Sequence, residues 1–276
     1  MIAEALIYLG SPVPRALRRL SYVGDSIALW SRARRCRRAW AEHERNCQRV
    51  VIEAFADLPR RRTALILGSG LARDIPIDAL CDAFESVILL DVVHLLPVRL
   101  RLARRNVVFV TADLTGCADW LTGRAGERGD PLAPLIARDD IDLVVSANVL
   151  SQLPIALERW ADAHRDGPPG GPADLPRAAI DWHLADLTRF TCRVCLLTDV
   201  GLSDVEAGGR VIDRFDLLRG QSLPEPDERW DWLVAPLGEE SRHHAVIHHV
   251  QAYREFPGRA GQNDERRERS APSASE

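Results

Sequence analysis

The sequence predicts an α/β protein: a doubly wound, mostly parallel seven-stranded sheet ending in an antiparallel β-hairpin, with a helical extension in front. Three observations predict it. Between residues 63 and 198, five short apolar runs alternate with amphipathic segments, and continuous apolar strands separated by helices make a parallel sheet covered on both faces. Near the C-terminus, runs 230–237 and 243–253 are joined only by 238–242, too short for a crossover helix, so they pair head to tail. Ahead of the first strand, apolar residues recur at spacings of three and four.

That extension occupies residues 1–62. Its long helix is expected over 25–58, capped by Asp25 or Ser26 and closed by Pro59. Leu29, Ala33, Cys36, Trp40, His43, Cys47, Val50, Ala54 and Leu58 form one stripe along it. The segment carries thirteen arginines against six acids, while the chain as a whole has a formal charge of −4. A basic helix beside an acidic remainder has two readings: a nucleic-acid contact, or a helix face packed on the acidic part of the same chain. No interleaved aromatics or nucleic-acid motif accompany the arginines, so the second is expected. All 36 basic residues are arginine, which excludes lysine chemistry such as Schiff-base formation.

Residues 63–256 form the expected α/β domain. Strands are expected at 63–67, 87–90, 107–110, 141–146 and 193–198, with helices following the first, second and fourth. Residues 114–139, rich in glycine, proline and charge, read as a short helix and a loop. Residues 166–176 read as a flexible insertion before a helix at 177–190. The polar tail, 257–276, reads as disordered.

Membrane and metal classes find no support. No apolar run approaches the roughly 18 residues needed to span a bilayer, and the N-terminus lacks the basic region of a secretory signal. Six scattered cysteines show no disulfide or zinc framework. Cys192 and Cys195, three apart on a strand, face opposite ways. A cytoplasmic protein with reduced thiols is expected. The pairs His243-His244 and His248-His249 do not converge either, because His244 and His248 stand ~13 Å apart at strand rise.

Ligands of an open parallel sheet sit beyond the carboxyl ends of its strands. After the first strand comes Gly68-Ser69-Gly70-Leu71-Ala72-Arg73-Asp74, a turn in which absent Cβ atoms let a ligand approach the backbone. The second strand ends in Asp91, suited to accept both hydroxyls of a ribose. Asp113 follows the third strand, and Ser146-Ala147-Asn148 ends the fourth. Each acid alone reads as a turn or helix cap. Three polar strand ends behind one glycine turn favour a nucleoside site.

This pattern, over residues 63–256, resembles the class I S-adenosylmethionine-dependent methyltransferase superfamily, which also ends in an antiparallel strand. The resemblance implies S-adenosylmethionine as cofactor. It puts Gly68, Ser69 and Gly70 under the methionine portion, Asp91 with Val92 at the ribose, and Asp113 with Leu114 at the adenine. It sets Asn148 and the loop through Gln152, Leu153 and Pro154 beside the transferring methyl. Two positions depart from the pattern: Ile66 stands where an acid usually helps hold the cofactor's amino group, and Ala72 replaces a third glycine. The Asn/Asp-Pro-Pro-aromatic tetrapeptide of amine-modifying relatives is absent. The implied activity is methyl transfer, with a small-molecule acceptor favoured. The alternatives are a methyltransferase-fold scaffold that has lost catalysis and an RNA-modifying enzyme using the arginine helix.

Methyl transfer is mostly alignment, with a general base added for some acceptors. Asp199, His94 and His183 lie near strand ends, and none is assigned as a base. Asp199 and Gln152 remain candidates for the substrate loops, Asp199 having the alternative of capping a helix before Ser203-Asp204. The tryptophans read as core or contact residues.

Overall fold

In the computed structural model, residues 2–14, 17, 18, 20–164, 168 and 170–257 are described. The expected disordered tail lies almost wholly outside them, and so does part of the expected flexible insertion at 166–176. The chain begins with helices α1 (Ile2–Gly10), α2 (Tyr22–Arg35) and α3 (Arg37–Phe55). The single helix expected over 25–58 is therefore two, parted at Cys36, whose φ of −89° and ψ of 12° leave the helical region. The apolar stripe survives the break: Ala33, Cys36 and Trp40 pack together against Trp232.

From there strands and helices alternate: β1 (Thr63–Leu67), α4 (Ile77–Ala83), β2 (Ser86–Asp91), α5 (Leu96–Leu102), β3 (Val107–Thr111), the short α6 (Ala118–Leu121) and α7 (Ala133–Ile136), and β4 (Ile141–Ala147). A single 3-10 turn, Leu150–Gln152, leads into α8 (Leu153–Ala163) and α9 (Leu175–Leu187). Strands β5 (Arg193–Glu206), β6 (Val211–Asp216), β7 (Glu228–Ala235) and β8 (His244–Tyr253) complete the chain.

The sheet runs β3-β2-β1-β4-β5-β8-β7, parallel from β3 through β5. Strand β8 lies antiparallel to both β5 and β7, as the short 238–242 link requires. Seven strands on this path match the expectation. Strand β6 is an eighth, added because β5 does not stop at Thr198 but runs to Glu206. Its outer half pairs with β6 while β8 covers its other edge. Asp199 is consequently mid-strand, and no helix follows it to be capped.

Alternation along the strands feeds two apolar layers. Ala64, Ile66, Val87, Leu89, Leu143, Val145 and Cys195 face α3, α4 and α5, where they meet Cys47, Val50, Val51, Ala54, Leu80 and Val98. Leu65, Leu67, Ile88, Leu90, Val144, Val194 and Leu196 face α8 and α9, meeting Leu157, Ile180, Leu184 and Leu187. Cys195 and Cys192 accordingly belong to opposite layers. Helix α3 is thus one of the covers of the sheet. Because β1 is followed on one side by β2 and on the other by β4, the connections leaving these strands diverge and open a crevice at their carboxyl ends.

Several arginines of the extension meet acids of the same chain, while Arg37, Arg38 and Arg45 are exposed. Arg35 and Arg32 contact Glu239, and Arg32 also contacts Glu240. Arg49 binds Glu53 and Glu228, both of which also bind Arg254. Among the described residues no helix is long and apolar enough to cross a membrane.

Candidate functional site

A cavity of about 400 Å³ opens at the crevice between β1 and β4. Gly68, Ser69, Gly70, Asp91, Val92, Asp113, Leu114, Asn148 and Gln152 all line it. Sequence reasoning found these strand-end residues because topology alone sends them to one edge. It did not find the opposite wall, where α2, α3 and β7 contribute Tyr22, Leu29, Trp40, His43 and Trp232.

The glycine turn is built for close approach. Gly68 has φ +75°, and a Cβ there would stand 2.9 Å from Val149 Cγ2 and nearer still to its Cβ. Gly70 has φ +48°, and its N–H donates to Asp91 Oδ2 at 2.6 Å. Val93 N–H donates to the other oxygen at 3.3 Å. Burial pushes the Asp91 carboxyl up, against the pull of the Gly70 N–H. Asp91 therefore fixes the turn while retaining lone pairs for a ligand.

Asp113 organises the next loop. Its oxygens accept from Thr115 N–H at 2.9 Å, Thr115 Oγ1 at 2.7 Å and Ala118 N–H at 2.8 Å. The turn-residue role expected of a lone acid is thus present here together with a place on the cavity wall.

Asn148 sits at φ +49°, a left-handed conformation that asparagine tolerates better than most side chains. Gln152 Nε2 holds its carbonyl at 2.5 Å, and Asn148 Nδ2 donates to Asp74 Oδ2 at 2.7 Å. Burial raises the Asp74 carboxyl to about 6. Three buried polar atoms of wall residues, Ser69 Oγ, Asn148 Oδ1 and Trp232 Nε1, have no partner among the described residues. Unmet buried polar groups cost free energy until a partner meets them. A sharp glycine turn, carboxylates at two strand ends and orphaned polar atoms on one cavity together suit a nucleoside carrying a polar tail.

The far wall is aromatic. His43 stacks on Trp232 at 3.9 Å between ring centres, and Trp40 meets Trp232 edge to face at 5.2 Å. Trp230 Nε1 donates to His43 Nδ1 at 3.1 Å. Burial lowers the His43 pKa to about 4, so the ring stays neutral. Arg159 on α8 and Asp25 on α2 also line the cavity and pair at 2.9 Å, joining the extension to the domain.

The remaining candidates lie off this wall. Asp199 is buried, accepting from Ser151 Oγ and bonded to His248 Nδ1. Those two bonds hold its carboxyl below the usual range despite burial. The ring of His248 in turn lies edge-on to Trp232. Asp199 thus ties the β4 loop to β8 from behind the cavity. His94 bonds Val110 O at 2.9 Å, and His183 bonds Ser146 Oγ at 2.9 Å inside the core. His249 pairs with Asp231 and Ser203, and His244 approaches Asp204, so these histidines disperse to separate partners. Among the described residues no group of three metal-ligating side chains occurs.

No family model matches the chain, and no curated protein matches it. Among solved structures the chain is similar to the 1,6-didemethyltoxoflavin-N1-methyltransferase of Burkholderia thailandensis, which holds 1,6-didemethyltoxoflavin and S-adenosylhomocysteine. That likeness has a TM-score of 0.40 and 15% identity over 88% of this chain and 92% of the other. It is also similar to a SAM-dependent methyltransferase of Leishmania major, with a TM-score of 0.34 and 15% identity over 75% and 73% of the two chains. At these levels neither likeness bears on what this chain binds.

Proposed function

We propose that the cavity binds S-adenosylmethionine and that the protein is a methyltransferase acting on a small molecule. The observation that carries this reading is the convergence of the glycine turn after β1, Asp91 after β2, Asp113 after β3 and Asn148 after β4 on one cavity. A nucleoside with a charged tail uses each of these features, whereas a purely apolar ligand uses none of the carboxylates.

When bound, the cofactor supplies a methyl group on a sulfonium ion, open to in-line displacement by an acceptor lone pair. The chain's own residues do the holding. Asp91 accepts the ribose hydroxyls while keeping the Gly70 N–H in place. Asp113, fixed by Thr115 and Ala118, presents its remaining acceptor capacity to the adenine amino group. The turn at 68–70 admits the tail against the backbone. On the acceptor side, Trp40, His43 and Trp232 supply aromatic lining, with Gln152 and Leu153 also on the wall. His43, neutral and already accepting from Trp230, orients and excludes water. It takes no proton at Nδ1.

A cavity of this size, with an aromatic wall, fits a small planar acceptor. Pairing with Glu240, Glu239 and Glu228 occupies Arg32, Arg35 and Arg49, while Arg37, Arg38 and Arg45 stay exposed for the RNA alternative. The scaffold alternative draws on Ile66, which is wholly buried inside β1 and cannot reach the cavity.

Calorimetric titration of S-adenosylmethionine, S-adenosylhomocysteine and NAD tests the reading. Micromolar binding of the two sulfur nucleosides is expected, with NAD inert and at least a hundredfold loss in Asp91→Ala. Binding of NAD alone, or of none of the three, would sink it.

A further inference from the structure

S-adenosylmethionine carries an ammonium and a carboxylate on its tail, and the usual acid for the ammonium is replaced here by the buried Ile66. With the ribose at Asp91 and the adenine at Asp113, the tail lies toward the β1 turn and the β4 loop. The cavity wall there holds two acids, Glu44 and Asp74. Glu44 is already neutralised by Arg73, in a two-pronged pair at 2.6 and 3.0 Å. Among the described residues, Asp74 has no cation within ion-pairing distance. Its side-chain partner is the Asn148 amide, which donates from Nδ2 at 2.7 Å. That bond also fixes which way the amide faces, leaving Asn148 Oδ1 buried and without a partner among the described residues. Asn148 is 5% exposed, so water does little to satisfy that oxygen.

A carboxylate without a counter-ion, beside an orphaned carbonyl oxygen on the wall of one cavity, is a receptor for a compact group with several N–H donors and a positive charge. We propose that Asp74 and the Asn148 side-chain carbonyl form the ammonium seat for the amino-acid end of the cofactor, replacing the acid missing at Ile66. The inference rests on the cofactor reading above. It assigns Asp74, which lies six residues after the first glycine of the turn, a binding role. It also gives a reason for the strained Asn148 backbone: the left-handed conformation, braced by Gln152, sets the amide beside Asp74 on the cavity wall.

The test uses the full chain and three probes: S-adenosylhomocysteine, its analogue lacking only the α-amino group, and 5′-methylthioadenosine, which lacks the whole amino-acid tail. On the wild-type protein, removing the amino group is expected to weaken binding at least tenfold. Asp74→Asn is expected to weaken S-adenosylhomocysteine at least tenfold while changing 5′-methylthioadenosine less than threefold. The deaminated analogue should bind Asp74→Asn and wild type alike. Equal wild-type affinity for S-adenosylhomocysteine and its deaminated analogue overturns the seat without any variant having to fold. So does an Asp74→Asn defect that falls equally on 5′-methylthioadenosine. If the wild-type protein binds none of the three, the cofactor reading is overturned and the seat with it.

Discussion

At Gly68 the backbone conformation and the space allowed agree: φ is +75° and Val149 fills the direction a Cβ would take. Gly68→Ala is therefore expected to cost about 1–3 kcal/mol of stability, read as a lowered urea midpoint, and to abolish nucleoside binding. Asp74 makes a pH-dependent prediction. Its folded pKa, about 6, lies above the ordinary 3.8, so the native state binds the extra proton. This group's contribution is most favourable at low pH and declines as pH rises from about 4 past 6. Glu44 strengthens the shift, and Arg73 and the Asn148 amide oppose it. The wild-type-minus-Asp74→Asn difference in unfolding free energy should fall by about 1–2 kcal/mol between pH 4.5 and 7.5, the full shift being discounted for the open cavity. Asp91, Asp113 and Asn148 were legible in the sequence because strand ends must share an edge. Asp74 was not, because its distinction is the lack of a counter-ion, and only packing shows that Arg73 turns to Glu44 instead.

At the scale of elements, the tie from Ser151 through Asp199 to His248 fastens the β4 loop to the antiparallel pair. Removing its buried centre leaves the ring and the hydroxyl without their acceptor. Asp199→Ala is expected to cost about 3–5 kcal/mol in chemical denaturation, as for other broken buried pairs. A loss below about 1 kcal/mol would show that the tie holds nothing. The half-exposed Asp25–Arg159 pair spans α2 and α8 at the cavity mouth. Asp25→Asn should change stability by less than about 1 kcal/mol, yet stopped-flow dissociation of S-adenosylhomocysteine should quicken severalfold. Pattern reasoning found the parallel sheet, the hairpin and the helices after β1, β2 and β4, but not α1 or the second short helix between β3 and β4. It missed β6, whose six residues are all exposed and so carry no buried face to read. It also ran α2 and α3 together, since the apolar stripe continues across Cys36.

For the whole molecule, acid is the vulnerable direction. Burial lowers both His43 and His183 to about 4, below the ordinary 6.5. The unfolded chain therefore takes up protons first as pH falls. The stability these neutral rings provide is complete above pH 6.5 and is lost on the way down to 4, about 3 kcal/mol for each. Unfolding followed by tryptophan fluorescence should show the urea midpoint dropping across that window. His183→Gln, which keeps a polar tip for Ser146 and cannot titrate, should roughly halve the slope.

The sequence by itself determined the layering of the fold, the reversed final pair and the set of polar strand ends, because continuous apolar runs, link length and glycine placement are local properties of the chain. Only the tertiary structure decided that Arg32, Arg35 and Arg49 meet Glu228, Glu239 and Glu240, that Trp40, His43 and Trp232 line the cavity, and that Asp74 has no cation partner among the described residues. Those outcomes depend on which distant groups meet, and a side chain's charge or hydrogen-bonding capacity has no fixed consequence until its neighbours are in place.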